Sequence, residues 1–325
     1  MSHTLPLSAP SPLAPRLSDL ALLLVAVVWG TSYGVAKGAL VFYPVVGFLA
    51  VRFLLTFVVL LPALLRATAP ERRDALVAGL PLGGLMLGIF LCETFGLALT
   101  QASNAAFLIS LCVVFTPFAE WWLLRQRPER AMFGFAAVSL LGAALLSGGY
   151  TGQWGWGDAL MLAAAVLRAI TVCQTTRLTR RRNAPVLALT AVQSGVIGVG
   201  CLVLALALPG KLPPLPSLTQ ASAFWWACIY LVAGCTVFAF VAQNWALRHS
   251  SPTRVGLLTS SEPAFGALFA VFWLGEQLSV TGWVGGALIV GAALWTMARR
   301  GDARHRPTAY PPLGPITTNL IAARA

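Results

Sequence analysis

Five ionisable side chains, Arg52, Glu93, Glu120, Arg168 and Glu262, stand inside long apolar runs. Holding such a group deep in a bilayer costs at least ~2.5–3.5 kcal/mol on insertion scales, so each needs a partner or a task. By residue counting Arg52 and Glu93 fall in the outer third of their segments and are expected to pair; Arg168 and Glu262 fall near the middle and are also expected to pair. Guanidinium and carboxylate groups in that setting can recognise an anion or a zwitterion, and a poorly solvated Glu93 or Glu262 can take up and release a proton. The competing reading is a set of permanent ion pairs that fix helix packing and never meet a cargo. Glu120, beside Arg125 and Arg127, is expected to snorkel to the interface.

Other polar and aromatic residues accompany these charges. Gln193 and Gln243 occupy positions matching Arg52 and Glu93 in a second half of the chain, and Asn244 follows Gln243. Asn104 lies in a turn that opens a helix. Trp29 and Tyr33 are four residues apart and share a helix face, where they can stack on a planar or apolar cargo or serve as packing. Glu262 precedes Pro263, whose ring removes a backbone hydrogen bond, so a helix can break there and line a cavity. The expected pathway is therefore Trp29, Tyr33, Arg52, Glu93, Asn104, Arg168, Gln193, Gln243, Asn244 and Glu262.

Soluble-type catalysis finds no support. The histidines are His3, His249 and His305, and there is no HExxH, no GxSxG and no Walker-type glycine loop. The six cysteines lie in apolar runs without a CxxC pair and read as small buried hydrophobes. No catalytic residue, metal or cofactor is expected.

The elements holding these residues follow from composition. Of 325 residues 58% are apolar before 30 glycines are counted, and 10% are charged against roughly 25% in an ordinary globular chain. Mean hydropathy is +0.80. A soluble fold of this size could not hide that much apolar surface, which excludes a water-soluble domain, disorder and a disulfide scaffold. The formal net charge of +12 would suggest nucleic acid in a soluble chain. Here the charges fall between apolar runs and in the C-terminal tail, as topology signals facing an anionic leaflet do.

A bilayer core about 30 Å thick needs roughly 20 helical residues per crossing. Measured that way the chain predicts ten helices, at 19–38, 44–65, 75–99, 103–124, 129–147, 157–177, 185–208, 221–247, 252–274 and 279–298. Residues 1–18 and the Arg- and Pro-rich 299–325 are expected to be disordered tails, and no cleaved signal peptide is expected. With both termini cytoplasmic, 18 Lys and Arg lie inside and only Lys37 and Lys211 outside.

The chain also repeats itself. The stretch from Pro44 aligns with that from Pro185, Glu93-Thr94-Phe95 with Gln243-Asn244-Trp245, and Gly142-Ala143-Ala144-Leu145 with Gly291-Ala292-Ala293-Leu294. Two units, 19–147 and 157–298, each contain five helices. Because five is odd, the second must enter the membrane from the opposite side, which gives inverted repeats and a physical route to opening a central cavity alternately to each side.

Trp29-Gly30-Thr31-Ser32-Tyr33 with Lys37, Arg52-Phe53-Leu54-Leu55, Ala102-Ser103-Asn104-Ala105-Ala106-Phe107-Leu108, Ser261-Glu262-Pro263 and Leu274-Gly275-Glu276 resemble the EamA family of the drug/metabolite transporter superfamily over residues 19–298. That resemblance implies ten transmembrane helices in two five-helix repeats, cytoplasmic termini, and movement of small organic metabolites, often outward, by alternating access.

The expectation is thus an all-α integral membrane protein of ten helices in two inverted repeats. It is expected to be a secondary transporter exporting a small amino-acid-like or related metabolite across a bacterial inner membrane, with protons as a candidate coupling ion. Helices one, three, four, six, eight and nine are expected to line the cavity. Its partners are the metabolite and the lipid bilayer, not nucleic acid. The alternative is a membrane enzyme acting on a lipid-linked or amphipathic substrate.

Overall fold

The computed structural model describes residues 14–100, 108–147, 155–208, 213–219, 221–274 and 278–298. All regular structure among them is helical: α1 (Ala14–Leu40), α2 (Val45–Arg66), α3 (Ala69–Leu99), α4 (Cys112–Leu124), α5 (Arg130–Ser147), α6 (Trp156–Thr179), α7 (Val186–Ala207), α8 (Ser222–Tyr230), a π-helical segment (Leu231–Phe238), α9 (Ala239–His249), α10 (Pro252–Thr259), α11 (Glu262–Leu274) and α12 (Val280–Ala298). Among the described residues six helices are long and apolar enough to cross a membrane: Leu17–Leu40, Val45–Arg66, Ala69–Gly96, Trp156–Thr179, Val186–Ala207 and Ser222–His249; Leu108–Leu124, Arg130–Leu146 and Val280–Thr296 are shorter apolar helices.

Helix ends follow local chemistry. Glu71 accepts hydrogen bonds from the Thr68 backbone N–H at 2.9 Å and its hydroxyl at 2.8 Å. This cap, with Pro70 in the first turn, starts α3 at Ala69, six residues before the expected boundary. The charges that suggested a loop there lie on the first turns of the helix. α1 likewise begins at Ala14, inside the stretch read as a tail. Asp158 accepts from the Gly155 N–H at 2.9 Å and closes the start of α6, while Ser251 caps α10 through the Arg254 N–H at 3.2 Å.

Three stretches depart from regular α geometry. A short helical run at 108–110 is set off from α4 by a turn at Leu111. Within the helix 222–249, eight consecutive residues adopt the wider π winding. Between α10 and α11 the chain breaks at Ser260 and Ser261, whose hydroxyls donate back to Leu257 and Leu258 at 2.8 and 2.7 Å. Pro263, lacking an N–H, cannot carry the ladder across that break.

The interior is largely apolar but holds charged and polar side chains, and the exterior is apolar. Arg52, Glu120, Gln193, Asn244 and Glu262 are buried, whereas Leu55, Val58 and Val59 on α2 and Val199, Val203 and Leu206 on α7 are exposed. Lipid, not water, is the solvent that suits such a surface. α2 packs chiefly against α7, α3 against α6 and α5 against α12, and α1 lies against α11.

Glycines set the closest approaches. A Cβ at Gly30 would lie 2.6 Å from the Glu262 carbonyl oxygen and 2.7 Å from the Gly266 nitrogen, and one at Gly142 would lie 2.6 Å from the Gly285 carbonyl oxygen. Gly285 serves such a contact, but a Cβ at Gly84 would meet nothing, and the α3 contact to α7 is made at Gly79 and Gly83.

Candidate functional site

Arg168, near the middle of α6, reaches between two carboxylates. Its Nη1 is 3.4 Å from Glu262 Oε2, at the start of α11, and its Nη2 is 3.8 Å from Glu93 Oε2, on α3. The guanidinium also lies 5.4 Å from the centre of the Trp29 ring on α1. One arginine thus ties α1, α3, α6 and α11 together. The Arg168 side chain keeps 24% of its exposure, against 12% for Glu93 and 7% for Glu262, so the cation is the more open member. Both separations exceed the roughly 2.7–2.9 Å of a tight charge-assisted bond, so either contact can part at modest cost.

The break before α11 puts Glu262 there. Where α10 ends at Thr259, two serines turn the chain and α11 starts again at Glu262, whose carboxylate sits at a fresh helix N-terminus. Gly30 lets α1 approach within contact of that turn, bringing Trp29 beside Arg168.

The π-helical segment forms the next wall. Trp29 Nε1 donates to the Cys235 carbonyl at 3.0 Å, and one residue on, Thr236 Oγ1 accepts from Arg52 Nε at 3.1 Å. The Arg52 guanidinium lies 5.1 and 5.7 Å from the ring centres of Phe53 and Phe90. At the segment's start the Tyr230 and Thr31 hydroxyls meet at 2.5 Å.

Of the two pairings read from the sequence, Arg168 with Glu262 is present at 3.4 Å, while Arg52 with Glu93 is not an ion pair among the described residues. Glu93 shares Arg168 with Glu262, while Arg52 bonds to Thr236 and feels Glu93 through space. Counting residues from helix ends had set Glu93 and Arg168 at different depths; they meet because α3 packs along α6, a relative placement that counting along separate helices does not contain. Trp29, Arg52, Glu93, Arg168 and Glu262 form one cluster, with α2 contributing a residue where the sequence placed no cavity wall.

Gln193 and Asn244 form their own hydrogen-bonded group: Asn244 Nδ2 donates to Gln193 Oε1 at 2.8 Å and to Thr190 Oγ1 at 3.1 Å. Gln243 is half-buried and makes no hydrogen bond among the described residues. The Tyr33 side chain and Asn104 lie outside the described residues. Glu120 is not a snorkelling residue. It is 3% exposed and accepts from the Thr253 N–H at 2.9 Å and from the Thr253 hydroxyl, capping α10 from α4.

Sequence reasoning missed Thr236, Cys235 and Cys112. Cys112 opens α4 within electrostatic reach of Arg168, Glu262 and Glu93. A hydroxyl within Leu-Val-Ala-Gly-Cys-Thr-Val-Phe was the available signal for Thr236, but the π winding that turns it toward Arg52 has no mark in the sequence. Among the described residues no group of three or more His, Cys, Asp or Glu could hold a metal ion.

A multi-pass bundle with an apolar exterior and a charged cluster assembled from many helices defines a membrane protein of the transporter class. The chain belongs to the EamA-like transporter family, whose model matches it twice, over residues 16–148 and 155–298. Two curated relatives from Archaeoglobus fulgidus are each named "Uncharacterized transporter". One is 28% identical over 278 residues, 85% of this chain and 84% of its own; the other is 26% identical over 226 residues, 68% and 75%. A protein of known crystal structure superposes with a TM-score of 0.69 at 21% identity, covering 89% of this chain and 99% of its own, a likeness of fold.

Proposed function

We propose that the chain is a secondary transporter that exports a small organic metabolite, amino-acid-like or related, by alternating access of two inverted repeats of five helices each. The observation that carries this reading is Arg168 bridging Glu93 and Glu262. Arg168 and Glu262 belong to the second matched stretch and Glu93 to the first, so the charged cluster sits on the seam between two homologous halves. Relative movement of the halves changes that cluster before anything else.

Further features support it. The stretches 108–124 and 252–274, which correspond as fourth helices of their repeats, are both interrupted, and paired broken helices are where transporters of inverted-repeat design place their sites. The principal contacts, α2 with α7 and α5 with α12, pair corresponding helices, as a two-fold axis in the membrane plane requires. A zwitterionic cargo suits the cluster: its ammonium competes with Arg168 for the two carboxylates, and its apolar part meets Trp29. Proton uptake at Glu93 or Glu262 would release Arg168 in the same way and couple transport to a gradient. The positive-inside distribution of Lys and Arg supports an orientation with both termini in the cytoplasm, in a bacterial inner membrane.

The test is a paired metabolite profile, inside and outside, of cells carrying no transporter, the wild type, or Arg168→Gln at matched membrane levels. A compound depleted inside and enriched outside with the wild type alone is expected. Profiles of all three that coincide, with medium supplemented or not, would overturn export and favour a membrane enzyme or an importer.

A further inference from the structure

We propose that Arg52 is an anion-binding subsite that takes a carboxylate of the cargo, distinct from Arg168, which is the internal counter-ion of Glu93 and Glu262. This rests on reading the cluster as a transport path, and it assigns one end of the cargo.

A guanidinium has five N–H donors. Arg52 is only 7% exposed, and among the described residues it spends one of the five, on Thr236 through Nε at 3.1 Å. Its Nη1 and Nη2 make no hydrogen bond to described residues, and no carboxylate there lies within ion-pair distance. Phe53 and Phe90 support the charge through their ring faces at 5.1 and 5.7 Å, which stabilises a cation without satisfying any N–H. A buried cation with its bidentate edge unspent is an incomplete site, and the group that completes it is a planar anion with two oxygens.

Arg168 is differently placed. Both of its terminal nitrogens face carboxylates and its guanidinium lies over the Trp29 ring. An incoming anion there meets two negative charges for one positive. An incoming anion at Arg52 meets a cation that feels Glu93 only through space, and that carboxylate is already shared with Arg168.

Thr236 is the positioning residue. Its hydroxyl donates to the Leu231 carbonyl five residues back at 2.9 Å, a spacing that the π winding provides, so its lone pairs are left for Arg52 Nε. The residue before it, Cys235, holds the Trp29 indole. The same segment therefore fixes Arg52 and Trp29 side by side, anion subsite next to aromatic wall.

The probes are acetate and phenylacetate, with acetamide and phenylacetamide as neutral shapes and chloride as a simple anion at equal ionic strength. The readout is the thermal unfolding midpoint of the purified full chain in nanodiscs. Carboxylates are expected to raise the wild-type midpoint and the amides and chloride to leave it. Arg52→Gln is expected to weaken the apparent affinity at least about tenfold, Arg52→Lys less because it keeps the charge without the fork, and Arg168→Gln less than Arg52→Gln, because it removes no donor to the carboxylate and acts only by freeing Glu93. Should Arg52→Gln fail to fold, Thr236→Val carries the test, with an expected weakening of roughly threefold or more.

No wild-type response, an undiminished response in Arg52→Gln, loss of the response in Arg168→Gln alone, or a chloride response equal to acetate would each overturn the subsite. Counterflow in vesicles separates this from the transport reading. Flux that persists without any carboxylate response at Arg52 removes the subsite and leaves the transporter; a response at Arg52 with no flux of any compound does the reverse.

Discussion

Arg254 holds Asp19 in a two-point grip, Nη2 to Oδ2 at 2.8 Å and Nε to Oδ1 at 3.3 Å, across 235 residues of chain. Both are buried, and they fasten the start of α1 to the start of α10. The contrast with Arg168 is informative: the pair at the bundle end is tight and dry, while the central one is longer and more open. A bundle that moves about its centre needs firm contacts that break together at an end and weak ones at the middle.

Asp19→Asn leaves the Arg254 charge buried without its partner. The expected loss is about 3–5 kcal/mol, seen as a lower unfolding midpoint in detergent. Pairing it with Arg254→Met should recover most of that loss, and a double variant no better than Asp19→Asn alone would count against the pair.

Glu120 closes the first turn of α10 from α4, through two donors of Thr253. Glu120→Ala should cost about 1–3 kcal/mol, since it strips a charged acceptor from a buried helix start. Thr253→Val removes one of the two bonds and should cost less. If Glu120→Ala proved neutral in midpoint, the capping role would be wrong.

Gly30→Ala pushes a methyl carbon to 2.6 Å from the Glu262 carbonyl oxygen, where backbone must yield. About 1–3 kcal/mol of destabilisation is expected, along with lower flux, because α1 and α11 carry Trp29 and Glu262 apart. Gly291→Ala, on α12 with nothing within 4 Å, should instead be neutral or stabilise by about 0.5–1 kcal/mol. Equal effects at both positions would dismiss close approach as the reason for Gly30.

Glu262→Gln and Glu93→Gln each leave Arg168 with one carboxylate. If proton uptake at either drives export, the substituted chain should lose the pH dependence of flux and of proton movement measured alongside it. Unchanged pH profiles in both would remove the coupling role.

A reporter fused at Gly148 is expected to lie on the outer face, and one following Arg182 in the cytoplasm. A cytoplasmic Gly148 reporter would overturn the proposed orientation.

Much of the fold was legible because bilayer thickness and apolar composition leave few options: runs of roughly 20 apolar residues must be helices, and the odd charges among them must turn inward. Pro263 after Glu262 marked a break, and the structure has one two residues earlier, at Ser260 and Ser261. Glu120 was misread because its neighbours Arg125 and Arg127 are near in sequence, whereas its donor, Thr253, is 133 residues away.

Sequence alone determined that the chain suits lipid, roughly where its apolar helices run, and that Arg52, Glu93, Arg168 and Glu262 stand among them, since those follow from transfer energies of single residues. Which charge meets which was decided only in three dimensions. That Glu93 shares Arg168 with Glu262, and that Arg52 turns to Thr236, depends on how α3 packs along α6, the π winding of Leu231–Phe238 and the close approach at Gly30. Each changes the rotation or depth of one helix against another, and an ion pair is sensitive to shifts of an ångström that residue counting along separate helices does not contain.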